Sequence, residues 1–175
     1  MDATRRKFIY KTMATAGSAV LFPQMSFGLT ASEIDSDKID QQIVEEFVKV
    51  AHSDFDIMKT LLEKHPHLLN AANDWGDGDF ETAIGAAGHM GHKEFANYLI
   101  EKGARFDIFV LTMLGKTEIV MPFFEAFPDL ITSIGPHGFT LLHHAEKGGE
   151  ESKELYDYFE FKGLTEKFIP TYKKD

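Results

Sequence analysis

Four acidic side chains and two aromatic ones crowd one glycine-bearing stretch: Asp74, Trp75, Asp77, Asp79, Phe80 and Glu81, with Gly76 and Gly78 among them. Carboxylates on such a loop are oxygen donors for hard cations, calcium above all. The EF-hand pattern does not fit, because no choice of first Asp puts acids at the third, fifth and twelfth positions with Gly at the sixth. Tight turns also favour Asp and Gly, so the stretch reads as a solvated turn. Trp75 and Phe80 add a binding role if they are exposed, since Trp is over-represented at binding hot spots. Folded back, Trp75 would instead cover the edge of neighbouring helices.

Histidine is the other chemically able residue, with eight copies. His89 and His92 are three apart and His143 and His144 are adjacent. Neutral imidazoles at suitable spacing bind zinc. His137 stands in Gly-Pro-His-Gly, a turn composition. The chain has no cysteine, which excludes disulfides, thiolate metal sites and Cys nucleophiles. Nothing matches a nucleophile elbow, a phosphate loop, a dinucleotide fingerprint or His-Glu-x-x-His.

These groups must be carried by helices. Ile43, Val44, Phe47, Val48 and Ala51 recur at spacings of three and four, one apolar face. Asp54 and Asp56 suit the start of a next helix with the stripe Phe55, Ile57, Met58, Leu61 and Leu62, which His65-Pro66 ends. Between Thr82 and Gly103 the chain reads helix, Gly-His turn, helix and closing Gly. Asp107 to Leu114 and Thr117 to Phe127 repeat the pattern, although Pro122 must cost the second of these a backbone hydrogen bond or kink it. Gly138 to Gly149 and Glu154 to Phe161 repeat it again, and Leu164 to Ile169 reads as a terminal cap.

Thr82, Ile84, Ala87, Gly91, His92, Glu94, Leu99, Ile100, Gly103 and Ala104 fall on the consensus positions of the ankyrin repeat, which this segment resembles. Gly-Phe-Thr-Leu-Leu-His-His-Ala, from Gly138, resembles the same signature with Leu141 in place of Pro. The resemblance covers roughly residues 43 to 163. It implies an all-α fold, a short ankyrin-repeat solenoid of about four irregular helix-turn-helix repeats. It also implies structural hydrogen bonds for His92 and His143, which stand at the family's turn and Thr-Pro-Leu-His histidines. The turn glycines Gly91, Gly115 and Gly149 are 24 and 34 residues apart, against a repeat of about 33. The finger between repeats two and three is therefore missing, whereas the one before repeat two, Asn70 to Phe80, is enlarged.

Residues 1–31 read as an address rather than as fold. Thr4-Arg5-Arg6-Lys7-Phe8-Ile9, an apolar run and a small-residue tail resemble a twin-arginine export signal, which implies removal near Ala31 and a periplasmic protein exported already folded. Residues 32–41 form an acidic linker, and 42–175 the repeat domain. Setting aside the first 31 residues, which hold four basic groups against Asp2, deepens the net charge from −10 to −13 and leaves Arg105 as the one Arg. That balance disfavours nucleic acid, anionic membranes and phosphorylated ligands. No apolar run reaches the ~20 residues of a membrane span.

The resemblance implies an exported, non-catalytic protein-interaction module, a monomer acting on an unidentified protein partner, without metal or cofactor. Trp75, Asp77, Asp79, Phe80, Met90 and His137 are the expected partner-binding residues. The other reading is a small periplasmic enzyme or a ligand- or metal-binding protein, with Asp77, Asp79, Glu81, His89 or His137 around a pocket.

Overall fold

A computed structural model describes residues 38–170; the expected export signal and most of the linker lie outside the described residues. The described chain is mostly helical. Its helices are α1 (Gln41–Val50), α2 (Phe55–Lys64), α3 (Ala83–Met90), α4 (Lys93–Glu101), α5 (Ile108–Met113), α6 (Thr117–Ala126), α7 (Leu141–Gly148) and α8 (Lys153–Phe161). None of the described helices is long and apolar enough to cross a membrane.

Each helix start has a local cause. Asp40, Asp54 and Asp107 accept backbone N–H groups at the first turns of α1, α2 and α5. Thr82 and Thr140 do the same for α3 and α7. Such caps satisfy donors that no intrahelical carbonyl reaches. Pro122 sits within α6, which runs on through it. Its missing N–H removes one bond from the sixth helical position, and the buried Val120 and Phe124 on either side hold the helix.

The enlarged finger is a β-hairpin. Strand β1 (Ala72–Asp74) pairs antiparallel with β2 (Phe80–Thr82), with Asn73 opposite Glu81. The mostly helical chain fits the all-α expectation, with this small two-stranded sheet added to it. The chain between α4 and α5 carries no strand, as the short glycine spacing predicts. The terminal segment pairs along the finger that precedes α7: Thr140 N–H donates to Lys167 O at 3.1 Å and Ile169 N–H to Gly138 O at 2.8 Å.

Within each successive pair the two helices pack together, and α1 lies on α3, α3 on α5, and α5 on α7. One apolar cluster joins α1 to α5 through Phe47, Met58, Ile84, Leu99 and Val110; a second joins Phe109 and α6 to α8 through Phe124, Leu141 and Phe159. Burying a residue such as Phe47 or Phe159 contributes about 1.5–3 kcal/mol.

Helix α3 touches α7 as well as α5. A strictly linear stack would keep α3 and α7 apart. Here α5 is a helix of six residues without a preceding finger, so α7 closes over it onto α3. Gly91, at φ +80°, marks the contact: a Cβ there would stand 2.7 Å from Lys147 O. Lys93 and Glu151 bridge the same two helix pairs at 2.7 Å. This closure carries the turn before α7 to the hairpin before α3.

Candidate metal centre

Strand alternation turns Glu81 inward between Phe80 and Thr82, where it is 1% exposed. An ionised carboxylate at that depth requires compensation. Three histidines surround it. His89, on the buried face of α3, places Nε2 2.8 Å from Glu81 Oε1. His52, just past the end of α1, places Nε2 3.4 Å from Oε2, and His137 places Nε2 3.2 Å from the same oxygen. One donor atom from each of His52, Glu81, His89 and His137 lies within 4.8 Å of all the others.

The far sides of two rings fix which nitrogen faces inward. His52 Nδ1 lies 3.0 Å from Val48 O, a carbonyl that can only accept. His137 Nδ1 lies 2.7 Å from Asp79 Oδ2. In each ring Nδ1 therefore carries a proton; in the neutral ring the lone pair is on Nε2, the nitrogen facing Glu81, whereas a protonated His137 donates from Nε2 to Glu81 Oε2 at 3.2 Å. Carboxylate and imidazole lone pairs that face one another repel unless a proton or a metal ion lies between them. Glu81 Oε1 and His89 Nε2, though 2.8 Å apart, are outside hydrogen-bonding geometry, and Oε1 is buried without a hydrogen-bond partner. Zn–N and Zn–O bonds of about 2.0–2.1 Å give tetrahedral ligand–ligand edges of roughly 3.3 Å. The contacts of 3.2 Å between His52 Nε2 and His89 Nε2 and of 3.4 and 3.2 Å from His52 and His137 to Glu81 Oε2 lie near that value, whereas His89 meets the other Glu81 oxygen at 2.8 Å.

Further residues orient the four. Trp75 donates its indole N–H to Glu81 Oε2 at 2.8 Å. Asp79 Oδ1 accepts the His137 backbone N–H at 2.9 Å, holding a non-glycine residue at φ +60°. His92 and His143 bond the carbonyls of His52 and His89 at 2.7 and 2.9 Å, so they fix the backbone of two of the ligands. Phe139 stacks on both His143 and His89. Burial pushes the Glu81 pKa up, but the contact with His89 and the positive charge that His89, His52 and His137 carry when protonated outweigh it and hold the carboxyl below its usual range.

Of the residues expected from sequence, Trp75, Asp79 and His137 meet at this site, as do Glu81 and His89 from the other reading. Asp77 stands at the hairpin tip with φ +56°, away from the four ligands. Phe80 and Met90 point outward, 62% and 38% exposed. Trp75 divides its two readings, because its N–H is spent on Glu81 while the residue stays 37% exposed. His52 was not singled out: it lies beyond the apolar face of α1 and belongs to no motif. The pairs His89/His92 and His143/His144 do not act as pairs, since the ligands come from separate elements. Comparison with family models, curated proteins and solved structures returned no match.

Proposed function

We propose that this protein binds one divalent transition-metal ion, zinc by preference, through His52, Glu81, His89 and His137. The observation that carries the reading is the convergence of three imidazoles on a buried carboxylate, two of them tied through Nδ1 so that Nε2 faces inward. Imidazole with one carboxylate suits zinc among the common cations, whereas calcium and magnesium prefer all-oxygen shells. The Asp79–His137 pair has the form of the carboxylate–histidine–metal triad that raises ligand basicity. The frame is read as an irregular ankyrin-type array exported to the periplasm, in which the ion ties the end of α1, the hairpin with α3, and the turn before α7.

Calorimetric titration of metal-free protein with zinc tests the reading. One ion per chain is expected, with thermal stabilisation of about 2.7 kcal/mol once free zinc reaches about a hundred times Kd. Heat no greater than dilution, with an unchanged melting midpoint, would refute it.

A second reading, a protein-interaction module acting on an unidentified partner, is favoured by the exposure of Phe80 and Trp75 on the hairpin and of Met90 at the end of α3. Partner capture by the intact chain that Phe80→Ser abolishes would support it; capture that ignores Phe80 would count against it.

A further inference from the structure

We infer that the metal, held by its four protein ligands, expands to five-coordination on its solvent side and there takes a small monocarboxylate, seated between Lys49 and Trp75. The inference rests on the metal reading above. The side chains of Glu81 and His89 are 0% and 5% exposed, whereas those of His52 and His137 are 24% and 27% exposed. The accessible side of the ion is therefore the one between His52 and His137. A wide-mouthed cleft of about 410 Å³ opens there, lined by Lys49, His52, Ser53, Trp75 and His137. It contains the two exposed ligands and neither of the buried ones. Its volume falls in the range of small-molecule sites.

Charge selects the occupant. A divalent ion with three neutral imidazoles and one carboxylate keeps a net positive charge, and Asp79 is already spent on His137. An anion completes that site. Lys49 is the one cationic residue of the lining apart from the histidines, and among the described residues it has no ion pair. The Ser53 hydroxyl is likewise without a hydrogen bond in the described part. Trp75 has given its N–H to Glu81, so what it offers the cleft is an apolar ring. A metal, one ammonium, a hydroxyl and an indole face match a carboxylate carrying a short apolar tail. A phosphorylated ligand is best held by bidentate guanidinium groups, and this lining has none. Arg105 lines a different cleft, with Thr82, Gly85 and Phe106.

The test uses cobalt(II)-loaded protein, whose visible d–d bands report the coordination shell, titrated with acetate and then with benzoate. Both should shift the bands saturably, benzoate at lower concentration. Lys49→Met, compared at full cobalt loading, should bind benzoate roughly fivefold more weakly. Lys59→Met, on the face of α2 that carries Phe55, should bind it as the parent does. Bands unmoved at saturating carboxylate, or equal benzoate affinity in Lys49→Met, would overturn the inference while leaving the metal reading intact. Failure to take up cobalt at all would instead remove the metal reading and this inference with it.

Discussion

Asp79 grips His137 twice, its Oδ1 accepting the backbone N–H at 2.9 Å and its Oδ2 facing ring Nδ1 at 2.7 Å. One carboxylate thus holds both an unfavourable backbone conformation and a ring tautomer. The two residues lie 58 positions apart, so the bond also fastens the turn before α7 to the hairpin before α3. Asp79→Asn keeps the shape but weakens the acceptor and no longer dictates the tautomer. Zinc affinity, read by competition with a chromophoric chelator, should fall about 10–100-fold. An unchanged affinity would mean that His137 is not a ligand.

Trp75 is the only tryptophan of the chain, and its ring lies 6.2 and 6.0 Å from those of His52 and His137. Its fluorescence should therefore be quenched by cobalt or copper in step with binding. Trp75→Phe keeps an aromatic wall but removes the donor to Glu81 Oε2. Metal affinity should drop roughly tenfold, the lower end of such outer-shell effects, with the melting midpoint of the metal-free protein little changed. A large fall in that midpoint would show that the indole is mainly structural.

The closure of α7 onto α3 has its own check. Gly91→Ala would force a Cβ against Lys147 O and strain a residue at φ +80°. Destabilisation of more than about 2 kcal/mol in chemical denaturation is expected, with weakened zinc binding because His89 and His137 are held by the same contact. A neutral substitution would mean that the two helices do not approach so closely.

The helices were legible because their apolar spacing, acidic or threonine caps and turn glycines all point the same way, as at Thr82, Gly91 and Thr140. The missing finger was legible too, from the distance between Gly91 and Gly115. Its consequence was not: nothing in the spacing says that a short α5 lets α7 reach α3. The site depends on that closure, so Glu81, His89 and His137 could be suspected but not joined. His92 and His143, at repeat-consensus positions, bond backbone carbonyls as that resemblance implies, whereas His89 stood only among the residues of the alternative pocket reading. His52 gave no signal, since a histidine just past a helix end resembles any turn residue until its ring nitrogen is seen bound to Val48 O.

His144 makes a prediction independent of the metal. It is buried against Phe109 with Nδ1 bonded to Thr140 O at 2.8 Å. Burial pushes its pKa down from 6.5 to about 3. Between these values the unfolded chain takes a proton that the folded chain refuses, so the stability from this residue is complete above pH 6.5 and is lost as pH falls. The metal-free protein should lose about 1.4 kcal/mol per pH unit from this group across pH 6 to 4. In His144→Asn, denaturation at several pH values should show a shallower acid slope, whatever the absolute stability. An unaltered slope would place the proton uptake elsewhere.

The central claim is that His52, Glu81, His89 and His137 form one metal site. The most direct measurement is native mass spectrometry of the zinc-titrated chain beside a His52→Ala/His137→Ala variant, whose two substitutions fall on the more exposed ligands. The account predicts one zinc per parent chain, retained through buffer exchange, and none in the variant, with matching far-ultraviolet circular dichroism. Parent chains that retain no zinc, or a variant that retains as much as the parent, would contradict it.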